Sequence, residues 1–347
     1  MTTRFLYAVS ALLVTGLACA PVEEKTAATD QAPPTMDLHK EASLRFAPLP
    51  SEAANPENPV TQAKIDLGKK LYYDTQLSKD GNISCNSCHN LATFGVDNNP
   101  TSEGDDGSVG DRNSPTVLNA ALHQTQFWDG RAEDVEEQAG MPILNPVEMA
   151  IPSEEFLVSR LAATDDYPPL FAEAFPEDAE PLVYANIGRA LGAFERTLLT
   201  PSRFDTYLAG DQEALTDQEK AGLGKFIQLG CTTCHNGVNV GAHSFQKFGL
   251  FGDYWEHTGS EKIDEGRAAV TLNEVDKYVF RVASLRNVAE TGPYFHDGSV
   301  DTLEEAIRVM VKIQLAIELR DEEVESLAAF LRSLSGEVPV EALQSAG

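Results

Sequence analysis

Two copies of the pattern C-x-x-C-H constrain this chain more than any other feature of its sequence. One copy spans residues 85–89 (CNSCH) and the other spans residues 231–235 (CTTCH). Two thiols at this spacing can bond to both vinyl groups of one porphyrin, while the adjacent His ligates the iron. The sequence therefore predicts two covalently bound haem c groups, with His89 and His235 as proximal iron ligands. The cysteines that would attach the haems are Cys85, Cys88, Cys231 and Cys234.

The same cysteine spacing occurs in thiol redox pairs and in zinc sites, which are the alternatives to haem. A thioredoxin-like pair lies in a βαβ context, and no such pattern surrounds residue 85 or residue 231. A zinc site needs all of its ligands in one cluster. The His that follows both cysteine pairs, together with an export signal at the N terminus, favours haem.

The N terminus resembles a secretory signal peptide. Arg4 precedes an apolar run at residues 5–17 that is too short to span a bilayer. We therefore expect residues 1–18 to be a signal peptide and the mature protein to be periplasmic.

Cys19, the one cysteine outside the two motifs, is a candidate lipid anchor. Cleavage after Ala18 would make Cys19 the first residue and allow thioether lipidation. The alternative is cleavage after Ala20, which places an unfavourable Pro21 behind the cut. Residues 19–45 are rich in Ala, Thr, Pro and Glu, so we expect a flexible tether there.

Length and charge narrow the classes of protein further. A chain of 347 residues is long enough for two ordinary domains. Its formal net charge of -28 argues against binding to nucleic acid or to an anionic membrane surface. A positively charged partner is favoured instead.

Apolar residues at three- and four-residue spacing predict a mainly α fold with long loops and few strands. The predicted helices span residues 61–73, 153–163, 182–199, 216–229, 303–311 and 321–334. Thr216 and Glu219 have the spacing of a capping box at the start of the helix before the second haem motif.

A weak internal repeat precedes the two haem motifs. Residues 67–72 (LGKKLY) resemble residues 223–227 (LGKFI), although two amphipathic helices can resemble each other by chance. We expect two cytochrome c-like haem domains packed against each other, at residues 46–210 and 211–347.

The ligand opposite each His decides the chemistry of each haem. An iron with two strong protein ligands transfers electrons, whereas an open iron can bind and activate a small molecule. Candidates by residue type are His39, His123, His243, His257, His296, Met36, Met141, Met149 and Met310. Residue type alone does not choose among them.

Several longer stretches resemble one known family. They are residues 67–74 (LGKKLYYD), 113–119 (NSPTVLN), 126–132 (QFWDGRA), 145–149 (NPVEM), 284–287 (SLRN) and 293–298 (PYFHDG). With both haem motifs, these stretches make the chain resemble the bacterial dihaem cytochrome c peroxidases, whose relatives include MauG-type enzymes. The resemblance covers about residues 60–336.

The resemblance implies different roles for the two haems. In the family a Met that follows a Tyr-Phe-His-Asp-Gly segment is the distal ligand of the second haem, and Met310 matches it. His/Met ligation raises the reduction potential, so the haem of His235 and Met310 would be the site of electron entry. MauG-type relatives carry Tyr at this position, so Met310 favours the peroxidase branch.

The first haem would then be the site where peroxide binds. The resemblance implies that Glu148 transfers a proton between the two oxygens of peroxide and that Gln138 holds the peroxide by hydrogen bonding. A carboxylate near an open iron can take the proton from the inner oxygen and return it to the outer one. Trp128 matches a tryptophan between the two haems that assists electron transfer.

The resemblance also implies calcium and several partners. The family binds calcium through an Asn side chain and backbone carbonyls, at positions matched by Asn113, Thr291 and Pro293. Oxygen-only ligation suits calcium. The partners would be hydrogen peroxide, a small cytochrome c or copper protein as electron donor, and a second copy of the chain in a homodimer.

One position departs from the family. Many members have a His in the loop before Asn113 that blocks the peroxide-binding iron at rest. This chain has Asp105 at that place and no His among residues 101–112. We therefore expect an open first iron in the fully oxidised protein and activity without prior reduction. The alternative is that another residue, such as His123, ligates this iron.

The leading hypothesis is a dihaem c-type peroxidase that takes up electrons at its C-terminal haem and cleaves peroxide at its N-terminal haem. A MauG-like oxidase that modifies another protein is the second hypothesis. A dihaem electron carrier without catalytic activity is the third.

Overall fold

Helices dominate residues 37–344, the part of the chain that the computed structural model describes. The helices are α1 Leu38–Ser43, α2 Gln62–Tyr73, α3 Cys85–Cys88, α4 Val135–Leu144, α5 Glu154–Ala162, α6 Tyr167–Ala174, α7 Tyr184–Glu195, α8 Arg203–Leu208, α9 Asp217–Gln228, α10 Tyr254–Thr258, α11 Ala268–Thr271, α12 Leu303–Leu315 and α13 Asp321–Arg332. Strands β1 Phe245–Lys247 and β2 Val279–Arg281 pair in antiparallel order, with Phe245 opposite Arg281. The prediction of a mainly helical fold with few strands is confirmed.

Some predictions concern residues outside this part of the chain. The signal peptide, Cys19 and Met36 all lie there, and they stay predictions. Within residues 37–344, no helix has both the length and the apolar composition that a membrane span requires.

All six predicted helices are present, as α2, α5, α7, α9, α12 and α13. The capping box of α9 is formed, because the Glu219 N–H donates to Thr216 Oγ1 at 3.3 Å and the Thr216 N–H donates to Glu219 Oε2 at 2.8 Å. The prediction missed α4, in which Gly140 and Pro142 interrupt the helical pattern of the sequence.

The expected tether is wrong at its C-terminal end. Residues 37–45 include α1, which is capped by Asp37, whose carboxylate accepts from the Lys40 N–H at 3.1 Å. Ala42 is fully buried, and Phe46 packs against Phe204 with ring centroids 5.3 Å apart. α1 is too short for its apolar residues to show a helical period in the sequence. Its apolar residues nevertheless pack this segment against the core.

Two pairs of helices share the same close backbone contact. α2 packs on α7 at Gly68, where an added Cβ would lie 1.9 Å from the carbonyl oxygen of Ala190. α9 packs on α13 at Gly222, where an added Cβ would lie 1.9 Å from the carbonyl oxygen of Ser326. Gly222, and not Gly224 as the sequence repeat suggested, is thus the counterpart of Gly68. Only glycine permits so close an approach.

An aromatic residue one turn after each glycine packs toward a haem motif. Tyr72 packs on Phe194 with ring centroids 5.3 Å apart, and its hydroxyl donates to the carbonyl of His89 at 2.5 Å. Phe226 packs on Phe330 at 5.3 Å, and its ring centroid lies 6.3 Å from that of His235. Each helix pair therefore supports one proximal His.

The apolar core of residues 37–344 contains three clusters. The first gathers around α2 and α7, the second around α9 and α13, and the third is an aromatic cluster beside α12 and β2. From Asp37 onward the chain forms a single compact unit. The division into two domains near residue 210 therefore stays a prediction.

A buried ion pair connects α8 to loops near the second haem motif. Arg286 donates through Nη1 and Nη2 to the Asp205 carboxylate, each at 2.8 Å, and through Nε to the Val238 carbonyl at 2.6 Å. The Arg286 side chain is fully buried. Burial alone would raise the pKa of Asp205, but the guanidinium outweighs burial and the pKa is lowered.

The substitution R286M should destabilise the protein by about 3–5 kcal/mol, because it leaves the Asp205 carboxylate buried without its counterion. Denaturant unfolding of the haem-loaded protein measures the loss. R320M is a matched control, since the Arg320 side chain is 74% exposed beside Glu323, and its stability should stay close to that of the wild type.

The ion pair also predicts a pH dependence. Because the folded protein lowers the pKa of Asp205, the pair stabilises the fold fully above the pKa of an unfolded carboxyl. This stabilisation is lost as the pH falls through the lower, folded pKa. The difference between wild type and R286M should therefore shrink in acid, and a loss at neutral pH that R320M reproduces would contradict the assignment.

Candidate active site

The first haem motif forms a single helical turn. α3 begins after Ser84, whose N–H donates to Ser87 Oγ at 3.0 Å, and it ends at His89. Burial lowers the pKa of His89, so its imidazole is neutral near pH 7. The neutral form is the one that ligates iron.

The second haem motif forms a short 3-10 turn, Cys231–Thr233, followed by Cys234 and His235. Nδ1 of His235 lies 3.3 Å from the carbonyl oxygen of Val240. Burial lowers the pKa of His235 to about 4. A neutral imidazole that donates its Nδ1 proton to Val240 keeps Nε2 free for iron.

The four motif cysteines are free thiols and fit thioether attachment. Burial raises the pKa of Cys85 to about 12 and that of Cys231 to about 11. Neutral thiols are poor redox nucleophiles. Among residues 37–344, no group of three or more His, Cys, Asp or Glu side chains could hold a metal ion. The raised thiol pKa values thus disfavour a thiol redox pair.

Buried polar atoms without partners fit the carboxylates of a haem. Arg281 is only 4% exposed, and its Nη1 has no hydrogen-bond partner within residues 37–344. Burial lowers the pKa of Arg281 to about 10. Both ring nitrogens of His123 are also buried and unpaired, and burial followed by the charge of Arg281 lowers the pKa of His123. A buried cation requires an anion, which a haem propionate would supply.

Sequence reasoning missed Arg281. Its backbone N–H donates to the Trp128 carbonyl at 2.8 Å and its Nε donates to the Phe127 carbonyl at 3.1 Å. These partners are about 150 residues away in the chain, so the local sequence of Arg281 carries no signal of its surroundings.

Trp128 lies at a junction between distant parts of the chain. Its Nε1–H donates to the carbonyl of Asn113 at 2.9 Å, and the Asn113 N–H donates to the carbonyl of His296 at 2.7 Å. Its ring packs on the aromatic cluster of Phe248, Tyr254 and Phe280, and Met310 of α12 packs on the same cluster. The structure therefore brings Trp128 and Met310 to one apolar region.

Other candidate iron ligands have different surroundings. His39 Nε2 lies 3.1 Å from the carbonyl of Tyr207, and His243 is exposed. Met149 is buried in the first core cluster. His296 packs on Phe280 with ring centroids 4.4 Å apart, in the same aromatic cluster as Met310.

Gln138 and Glu148 belong to one local unit, α4 and the turn that follows it. The Glu148 N–H donates to the Asn145 carbonyl at 3.0 Å, and the Glu148 side chain is partly buried. Burial raises the pKa of Glu148, and a hydrogen bond with Asn145 and the charge of Arg131 only partly offset this rise.

A buried ion pair holds α4 against α7. Arg196 donates through Nε and Nη2 to both carboxylate oxygens of Glu136, each at 2.7 Å. An added Cβ on Gly188 would lie 2.5 Å from the carbonyl oxygen of Glu136, so the two helices are in close contact. Gln138 is therefore carried by a rigid helix.

Asp105 is buried, with 5% of its surface exposed, and both of its carboxylate oxygens accept a hydrogen bond. Oδ1 and Oδ2 accept from the Asp80 N–H at 3.0 Å and 3.2 Å. The Asp105 N–H donates to the Glu148 carbonyl at 2.7 Å. In this arrangement Asp105 contacts backbone on both sides.

Two of the three residues expected to bind calcium, Asn113 and Pro293, lie near residues 98–100. Asn113 Nδ2 donates to the Asn99 carbonyl at 3.0 Å, and its Oδ1 accepts no hydrogen bond from residues 37–344. Pro293 follows Thr291 closely in the chain and lines a cavity of about 400 Å³ that Asn98 and Pro100 also border. An amide oxygen and nearby carbonyls fit the oxygen ligands that calcium prefers.

Known proteins resemble this chain in both sequence and fold. Residues 62–213 match a family model described as di-haem cytochrome c peroxidase. The chain is 45% identical over 304 residues to cytochrome c551 peroxidase of Pseudomonas aeruginosa, with 87% of each chain covered. It is 33% identical over 340 residues to the methylamine utilization protein MauG of Methylorubrum extorquens, with 94% of each chain covered.

A solved structure of a MauG-like protein associated with microbial copper homeostasis matches with a TM-score of 0.74 at 30% identity. The match covers 86% of this chain and 97% of that one. The family resemblance and the enzyme class predicted from the motifs are confirmed. The chain belongs to the di-haem cytochrome c peroxidase family.

Proposed function

We propose that this chain reduces hydrogen peroxide to water at the haem of His89, with electrons that enter at the haem of His235 and Met310. The position of Glu148 carries this proposal. Glu148 is a partly buried carboxyl that follows the helix of Gln138, and its backbone is bonded to the loop of Asp105. When bound, the haem supplies the electron-transfer chemistry that cleaves the peroxide O–O bond.

Glu148 provides the proton transfer that peroxide cleavage needs. Hydrogen peroxide, two electrons and two protons yield two waters. Glu148 takes the proton from the inner oxygen and returns it to the outer oxygen, which then leaves as water. Burial raises the pKa of Glu148 and so favours the protonated form that delivers this proton. Gln138 holds the peroxide through its side-chain amide.

The substitution E148Q should lower turnover of peroxide by about 10²–10⁴-fold, because glutamine cannot exchange a proton. Steady-state oxidation of a reduced small cytochrome c by peroxide measures the effect. E133Q is the control, since Glu133 is an exposed carboxyl just before α4, and its turnover should match that of the wild type. Equal turnover in E148Q and wild type would remove Glu148 from the mechanism.

Electron transfer would run from the C-terminal haem to the N-terminal haem through the region of Trp128. The indole packs in the same aromatic cluster as Met310 and is fixed by its hydrogen bond to Asn113. The donor would be a small cytochrome c or a copper protein with a basic face, because the net charge of this chain is -28.

The first iron would be open on the side opposite His89 in the oxidised protein. Two observations support this proposal. The Asp105 carboxylate is bonded to the Asp80 N–H, and residues 101–112 contain no His.

An electron paramagnetic resonance spectrum of the fully oxidised protein should show one high-spin haem and one low-spin haem, since only the haem of His235 has a second protein ligand. Peroxide should react with this protein without prior reduction. Two low-spin signals together with no reaction would show that a protein side chain closes the first iron.

Calcium would bind at Asn113, Thr291 and Pro293, through the Asn113 side-chain oxygen and backbone carbonyls. Chelation with EGTA should lower the unfolding midpoint, because a cation that binds only the folded protein stabilises it by about 2.7 kcal/mol at 100 times Kd. Calcium, but not magnesium, should restore the midpoint.

The variant N113A should lose this calcium response, whereas the variant N273A, at an exposed asparagine, should keep it. Metal analysis of the purified protein provides a direct check. A protein without calcium whose midpoint ignores EGTA would contradict the site.

A MauG-like protein-modifying oxidase is the second candidate function, favoured by the 33% identity to MauG over most of the chain. Met310 argues against it, because MauG-type relatives have Tyr at this position. Fast turnover of peroxide with a reduced cytochrome c supports the peroxidase and disfavours both the oxidase and a plain electron carrier.

The location, the membrane anchor and the oligomeric state of the enzyme are also proposals. Residues 1–18 would direct export to the periplasm, and Cys19 would anchor the mature protein to a membrane. The protein would act as a homodimer in which each chain holds its two haems in cytochrome c-like domains.

A further inference from the structure

Three backbone segments meet behind the turn that carries Glu148. The Lys79 N–H donates to the Met149 carbonyl at 2.8 Å, and the Asp105 N–H donates to the Glu148 carbonyl at 2.7 Å. Asn82 Nδ2 donates to the Asp105 carbonyl at 2.8 Å. We call these segments, residues 78–82, 104–105 and 147–149, the Glu148 junction.

Asp105 is the centre of the Glu148 junction. Its carboxylate accepts from the Asp80 N–H, its own N–H donates to Glu148, and its carbonyl accepts from Asn82. A buried carboxylate is costly unless it accepts hydrogen bonds, so the charge favours this one conformation of residues 79–82. The carboxylate, the N–H and the carbonyl of Asp105 therefore each form a hydrogen bond to one of the other two segments of the junction.

Steric contact supports the same connection. An added Cβ on Gly104 would lie 2.2 Å from the Val147 carbonyl oxygen and 2.8 Å from the Glu148 carbonyl oxygen. The loop thus lies directly on the Glu148 turn. The Gly104 N–H donates to the Ser108 carbonyl at 2.7 Å and closes the loop on itself.

The other side of the junction leads directly into the first haem motif. Ser78 Oγ accepts from the N–H groups of Asn82 and Ile83, at 3.2 Å and 3.3 Å. The Arg160 guanidinium donates to the carbonyls of Ser78 and Lys79, at 2.6 Å and 2.9 Å. This segment is therefore rigid up to residue 83, two residues before the first haem-attaching cysteine.

We propose that Asp105 is a positioning residue, which fixes the distance between Glu148 and the first haem by joining their segments through its backbone and its carboxylate. The proposal rests on the proposed role of Glu148 in proton transfer. Asp105 thus has a role of its own at the place where related proteins hold a His, and that role does not require contact with iron.

The test compares the rate constant for reaction with peroxide, measured by stopped flow, in haem-loaded variants. D105A should be slower by about 10²-fold, the size expected when a reacting group moves by about 1 Å. D105N keeps an oxygen that can accept from the Asp80 N–H and should recover most of the rate. D106A is the control, since Asp106 is exposed in the same loop, and it should match the wild type.

A double variant separates positioning from a general loss of structure. If Asp105 acts only through Glu148, D105A/E148Q should be no slower than E148Q. Independent effects that multiply in the double variant would overturn the proposal. So would a wild-type rate in D105A, or a change in the paramagnetic resonance spectrum of D105A, which would mark Asp105 as an iron ligand.

The rates of E148Q and N82A test the proposed function and the junction separately. A wild-type rate in E148Q would contradict the proposed function itself, whatever D105A shows. N82A removes the donor to the Asp105 carbonyl and tests the same junction if D105A does not fold, and the expected result is again a loss that vanishes in the E148Q background. A wild-type rate in N82A, or a loss in N82A that multiplies with that of E148Q in the double variant, would count against Asp105.

Discussion

The close approach of two pairs of helix backbones is the constraint on which the rest of the structure depends. Gly68 and Gly222 allow α2 to pack on α7 and α9 to pack on α13 at a distance that any side chain would prevent. Each pair then supports an aromatic ring, Tyr72 or Phe226, that contacts a haem motif. Each proximal His lies in a short turn, and a pair of packed helices supports it from behind.

The two scaffolds are alike, whereas the surroundings that they support differ. Near the first haem motif a network of backbone hydrogen bonds includes the turn of Glu148, which follows the helix of Gln138. Met310 instead packs in an aromatic cluster with Trp128. Polar groups with exchangeable protons suit bond cleavage, and an apolar thioether environment suits electron transfer. The proposed division of labour between the haems would thus lie in the loops and in α12.

Sequence reasoning succeeded where the signal is local. The six helices, the capping box of Thr216 and Glu219, and the haem motifs depend on spacings of a few residues, and all of them could be predicted. The tether was wrong at α1, because only tertiary packing of Ala42 reveals its helix as part of the core. The contacts of Asp105 and Arg281 could not be predicted, since their partners are roughly 25 to 150 residues away. For these two residues the sequence shows the sign of the charge but not the groups that the side chain contacts.

Arg281 has a consequence for how the protein matures. A guanidinium that is 4% exposed and lacks an anionic partner within residues 37–344 opposes the closing of the polypeptide around it. A propionate of the prosthetic group would supply the anion. Completion of this region would therefore be tied to the biosynthetic step that delivers the porphyrin, and a chain without haem would expose this region to quality-control proteases.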